Sequence, residues 1–186
     1  MTSFRTNQPQ PPTPDHIRYT TRPFPPYRFV PGHFPHPRRD PKGHSYDHPE
    51  PSPPPIDPHR WHESETYLYG IDLFNFAYWW ECHEELESLW HAVGHNSEMG
   101  VFLQGIVQVA AANLRRFMEP DNPDAGVSLM QKGLEKLQDY SGVYLGVDVE
   151  RFRRMTEDYF GNTTHTPPTI TLIDIEQRRQ TDHAEY

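Results

Sequence analysis

At 186 residues the chain has room for one ordinary domain with tails or for two very small domains, and proline decides between them. Seventeen of its 21 prolines precede residue 60, in runs such as "PQPPTP" and "PSPPPIDP" whose missing amide donors and restricted φ exclude interior helix and central strand. Residues 63–160 hold only Pro120 and Pro123 and carry 17 acidic against seven basic side chains, a balance near −10 that disfavours nucleic acid and anionic membrane as partners.

Residues 1–62 carry eight basic against five acidic side chains, near +3. The division predicts a Pro/His-rich irregular arm over 1–62, a helical domain over 63–160 and a C-terminal tail over 161–186. The opening "MTSFRTNQPQPPTP" has no apolar signal core, and no run approaches the ~20 apolar residues of a membrane span, so a cytoplasmic, soluble protein is expected. The single Cys82 excludes an intramolecular disulfide and reads as a small core residue. The sequence sets no oligomeric state.

In chain order, the segment 26–49, "PYRFVPGHFPHPRRDPKGHSYDHP", mixes aromatics, arginines and four histidines. It is either a disordered extension or an arm that lies along the helical domain and lends it side chains. Tyr67, Leu68, Ile71 and Phe74 have helical spacing and predict a first helix over 63–75, ended by a turn at "NFA". Trp79, Cys82, Leu86, Leu89 and Val93 step by three and four, the stripe of a second helix over 78–93. Gly94 closes it, and Ser97 is the N-cap of a third helix over about 98–118. That helix is apolar almost all round, as a central helix should be, and Gly105 suits a close helix approach. A fourth helix is expected over about 122–140 and a fifth from the cap Asp148 to near Phe160. "TPPTITLIDI" alternates like a strand but has no sequence neighbour to pair with, and reads as an extended tail.

Within the second helix His83, Glu87 and Trp90 form a row, with Trp80 one turn earlier, immediately beside the core stripe. Glu81, Glu84, Glu85, Ser88 and His91 read as a solvated face. On the third helix Gln104 and Gln108 are four apart in a segment otherwise too apolar for water. Buried amides and carboxylates need partners, so the two helices are expected to face these pairs to each other, with Asn113 and Arg115 extending the strip.

Three readings of this constellation stay open: a polar network that sets helix register, a metal site in which His83 and Glu87 are ligands for Zn²⁺ or Fe²⁺, and an interaction groove. "HEELE" also has the outline of the zinc-peptidase H-E-x-x-H helix with Glu84 as base, but lacks the second histidine. His33, His36, His44 or His48 of the arm would complete a site only if the arm folds back. There is no G-x-S-x-G, no Gly-rich phosphate loop and no C-x-x-C pair.

The segments "LFNFAYWWECHEELESLWHAV", "FLQGIVQVAAANLRRF" and "AGVSLMQKGLEKL" resemble the prokaryotic domain of unknown function number 309. His83, Glu87 and Trp90 meet its H-x-x-x-E-x-x-W motif, and Phe102 to Gln108 meet its F-L-Q-G-[LI]-[IV]-Q pattern. The resemblance spans about residues 65–140 and implies an all-helical fold with a suspected metal-binding role for the motif. Asn75, Phe76 and Ala77 stand where a small Asn-Ala-Gly turn is common, so the first break is expected to be shifted or the two helices partly fused.

The expected protein is all-α, a compact antiparallel bundle of about five helices with a polar site between the second and third. His83 and Glu87 would be metal ligands or an acid/base pair, Gln104 and Gln108 would orient them, and Trp80 and Trp90 would flank a small-molecule or divalent-metal partner. Metal-dependent hydrolysis is the sharper form of this expectation. The alternative is a non-enzymatic helical interaction module in which the same cluster is structural.

Overall fold

The computed structural model describes residues 8–13 and 15–173; residues 1–7 and 14 of the expected arm and 174–186 of the expected tail lie outside them. Among the described residues, a single 3-10 turn at Trp61–Glu63 is followed by five helices: α1 (Glu65–Asn75), α2 (Trp79–Val93), α3 (Glu98–Met118), α4 (Val127–Leu137) and α5 (Val149–Phe160). Three of them start on a side-chain cap. Ser64 accepts from the Tyr67 amide, Ser97 from that of Gly100 and Asp148 from that of Arg151, each satisfying one of the amides a helix N-terminus leaves free.

α1 and α2 are separate helices. The chain reverses over Phe76 to Tyr78, with Ala77 at φ 61° in the left-handed region and the Tyr78 amide bonded to the Leu73 carbonyl at 2.9 Å. α3 is central and packs on α2 to one side and α4 to the other. Phe102, Leu103, Ile106, Val109 and Ala110 have no exposed surface. The approach of α3 to α4 depends on two glycines. A Cβ on Gly105 would lie 2.7 Å from Leu137 Cγ, and one on Gly133 would lie 2.9 Å from the Gly105 carbonyl oxygen.

α4 begins five residues later than the periodicity predicts. Turns carry the chain to Gly126, whose φ of 81° and whose contact with α3, 2.4 Å from a Cβ to the Ala112 carbonyl oxygen, admit no helix before it. A hairpin of two-residue strands, β1 (Val143–Tyr144) and β2 (Val147–Asp148), also escapes the sequence reading. Its loop residues Leu145 and Gly146 have φ 44° and 79°, the signs a tight hairpin turn demands.

The tail does find a pairing partner. Val147 forms an antiparallel bridge with Leu172, the Ile173 amide bonds to the Gly146 carbonyl, and Ile170 and Leu172 are buried in the main core. The pairing links residues 25 positions apart across α5, which is why local alternation could not reveal it. Asn75, fully buried on α1, holds the tail by two bonds, accepting from the Ile170 amide at 2.7 Å and donating to its carbonyl at 2.8 Å.

Up to residue 60 the described part of the arm forms no helix or strand, and it lies against α1 and α2. Fully buried Asp72 accepts from the Tyr19 amide (2.8 Å), the Thr20 amide (2.9 Å) and the Thr20 hydroxyl (2.7 Å). Tyr69 and Tyr78 donate their hydroxyls to the carbonyls of Pro23 and Pro25, and Val30 enters the core. The Tyr19 hydroxyl in turn accepts from the Leu172 amide at 2.9 Å, so arm and tail touch over α1.

These bonds predict that Asp72→Ala, which strands two amides and a hydroxyl, costs about 2–4 kcal/mol in chemical denaturation. It should also open the arm to proteolysis near residues 18–30 before the helices unfold. A variant as stable and as protease-resistant as wild type would show that the arm is not held there.

Candidate metal centre

The arm decides the fate of the polar face of α2. Glu81 and Glu85, expected in solvent, are only 5% and 8% exposed. Glu81 Oε1 accepts from the Phe29 amide at 2.8 Å and contacts His44 Nε2 at 3.2 Å. Glu85 accepts from Arg22 Nη1 at 2.5 Å, and burial nevertheless pushes its carboxyl up from the ordinary range. Glu84 takes Arg38 Nε at 3.2 Å on its Oε2. The basic arm thus covers an acidic helix face with its own arginines and amides.

Glu84 Oε1 points the other way, 3.7 Å from His83 Nδ1, and Glu87 Oε2 lies 3.6 Å from the same nitrogen. One ligand atom from each of His83, Glu84 and Glu87 falls within 4.8 Å of the others, the single such cluster among the described residues. Spacing produces it: i and i+4 stack along a helix while i+1 flanks them, so one turn presents all three. The imidazole and the carboxylate of Glu87 are 36% and 35% exposed, accessible but not freely solvated.

The electrostatics agree with that geometry. Contact with Glu84, helped by the charge of Glu87, raises the His83 pKa against the opposing effect of burial. His83, and then Arg38, hold Glu84 below the usual carboxylate range. Bonds of 2.0–2.2 Å in a tetrahedral site place ligand atoms about 3.4 Å apart. The two separations from His83 Nδ1 lie close to that, and all three ligand atoms fall within 4.8 Å of one another. Cys82 is no candidate ligand, because complete burial drives its thiol pKa up.

The remaining residues singled out in the sequence lie elsewhere. Trp80 packs edge-on against Phe29 and His36 of the arm, at 5.1 and 5.4 Å. Trp90 stacks on His95 at 4.0 Å beyond the end of α2. Gln108 lies beside Gly133 of α4, its buried Oε1 without a protein partner, and neither it nor half-buried Gln104 hydrogen-bonds to His83 or Glu87. The facing polar strip between α2 and α3 therefore does not form. Asn113 is fully buried with neither amide atom bonded, and Arg115 turns to Glu119.

The arm does fold back, yet its histidines are used differently from a ligand set. His44 meets Glu81, His36 meets Trp80 and the Arg38 amide, and His33 lines a groove near Arg116. Arg22 and Arg38, the residues that organise the acidic face, were not singled out from sequence. The opposed charges of arm and domain were the available signal.

Fold and cluster together define a small, mostly helical protein with a His/Glu/Glu cluster on one turn of its second helix. Residues 67–129, from α1 into α4, match the family model described as Domain of unknown function (DUF309), the same family that the two motifs resemble. No curated protein matches the chain. No helix among the described residues is long and apolar enough to cross a membrane.

Because the folded pKa of His83 is raised, its stabilisation is full below its unfolded value of about 6.5 and is lost as pH rises through the folded value. Glu84, lowered, contributes above its unfolded value and loses that as pH falls. With chelator present, wild type should therefore exceed His83→Gln in stability by more at pH 6 than at pH 9. Solvent screening of this third-exposed pair keeps the change below about 1 kcal/mol. Thermal melts of both proteins at the two pH values check it, and a pH-independent difference would count against the pairing.

Proposed function

We propose that the protein binds a divalent transition metal, Zn²⁺ or Fe²⁺, through His83, Glu84 and Glu87. The observation that carries the reading is the convergence of one imidazole nitrogen and two carboxylate oxygens within 4.8 Å on a single helical turn. One nitrogen and two oxygen ligands suit these ions, and three protein ligands leave coordination positions open. Arg38 on the outer oxygen of Glu84 supplies the supporting hydrogen bond that orients such a ligand.

Open positions fit a hydrolytic use, in which the bound ion would supply Lewis acidity and a lowered water pKa. The chain's own residues would orient Glu84 through Arg38 and keep Glu87 beside the imidazole. A cytoplasmic setting, with no nucleic-acid or membrane partner, belongs to the same reading. The competing view, a helical interaction module whose cluster is a structural network, is favoured by one observation: Trp80 and Trp90 are both occupied in packing.

Tag-free protein should carry or take up one metal per chain, measured by elemental analysis, and lose it in His83→Ala. Metal at 100 times its dissociation constant should stabilise wild type by about 2.7 kcal/mol over the chelated form, and Glu87→Ala by far less. Equal stability of wild type with and without every metal tested, with a loss of about 1 kcal/mol in Glu87→Ala, would instead establish the structural network.

A further inference from the structure

Beside the cluster lies a cavity of about 260 Å³, walled by Glu84, Glu87 and His91 of α2 and by Arg38, Glu50 and Pro51 of the arm. Two of the three candidate ligands line it; His83 stands outside its wall. Its size suits a small ligand and excludes a drug-sized one. Only the Nε of Arg38 is committed, to Glu84, and its terminal nitrogens make no hydrogen bond to the described residues. A guanidinium with free terminal N–H groups is shaped for two-point recognition of a carboxylate or phosphate.

We infer that, with a metal at His83, Glu84 and Glu87, this cavity binds a small oxyanion held between the ion and the guanidinium of Arg38. The inference rests on the metal reading above. Charge makes the dependence strict. Glu50, Glu84 and Glu87 against Arg38 leave the cavity walls near −2, which repels an anion; a divalent ion cancels that charge and adds an electrophile. The arm's attachment does not need Arg38 alone, because Arg22 on Glu85 and the backbone bonds to Asp72 and Glu81 hold the same segment. Phosphate and carboxylate share the recognition chemistry, and the ligand is a small molecule bearing one of them.

The full-length protein loaded with Co²⁺, a spectroscopic substitute for Zn²⁺, is titrated in separate series with inorganic phosphate and with acetate. Visible absorption and calorimetry are the readouts. At least one anion should change the Co²⁺ spectrum of wild type and bind with measurable heat, and neither should bind the metal-free protein. Arg38→Lys, which keeps the charge but loses the fork, should weaken anion binding about tenfold, and Arg38→Gln about a hundredfold, each titrated at saturating Co²⁺ because Arg38 also supports the ligand Glu84. Stronger binding of phosphate or of acetate assigns the anion class. A Co²⁺ spectrum indifferent to both anions, or equal affinity in wild type and both Arg38 variants, overturns the oxyanion site and leaves the metal reading standing. Failure to take up Co²⁺, Zn²⁺ or Fe²⁺ at all overturns both.

Discussion

Asp72 is a carboxylate with no solvent around it, and much of the molecule is arranged to satisfy it. An uncompensated buried charge costs several kcal/mol, and mid-helix in α1 the neighbouring amides are spent on carbonyls one turn back. The donors come from Tyr19 and Thr20, in a stretch with no ladder of its own. The dependence is mutual. Proline-rich chain cannot pair its amides into helix or sheet, so the amides it retains must bond to something fixed. Asp72 takes two of them, Glu81 takes that of Phe29, and Asn75 does the same for the tail at Ile170. Buried acceptors on two helices thus replace the secondary structure that the flanking segments lack.

That arrangement determines what α2 can do. Around its axis, Glu81 and Glu85 lie to one side of the outer face, His83 and Glu87 to the other, and Glu84 between them. The arm closes the first side and leaves the second accessible. Glu84 is divided between the two, with one oxygen on Arg38 of the arm and the other toward His83. The candidate centre is therefore half-buried by a segment distant in sequence and half-open to small molecules, which a bare helix surface would not provide.

The sequence disclosed most of what is local. The apolar steps of α2, the break at Gly94, the cap at Ser97, the enclosure of α3 and the need for Gly105 all follow from spacing and residue type within a single element. Errors came where a distant segment decides the outcome. Periodicity locates the apolar stripe of a helix but says nothing of what covers its polar face, so Glu81 and Glu85 read as solvated. The start of α4 depended on Gly126 meeting Ala112, and the tail's pairing on Val147 across α5. Gln108 was assigned to the wrong neighbour for the same reason: it lies beside Gly133 of α4, and a helix apolar on most sides gives no sign of which side meets α2 and which meets α4. His83 and Glu87 were legible because their proximity is a property of one helix, whereas Glu84 needed Arg38 to show its orientation.

The link from arm to site carries a consequence for how the protein must be handled as a unit. Removing the arm would not merely uncover the core residues against which Val30 packs. It would return Glu81 and Glu85 to water, leave Asp72 without its donors and release Glu84 from the guanidinium that orients it. A helical core cut from the chain would still present His83, Glu84 and Glu87 on one turn, since that is helix geometry, but with a different charge, a free Glu84 rotamer and no cavity wall. The family match covers the helices that carry the motif, residues 67–129, while Arg38 lies outside it. The part of the chain that shapes the chemistry of the cluster is thus distinct from the part that supplies its ligands. In this molecule the former is held in place by buried carboxylates on the latter.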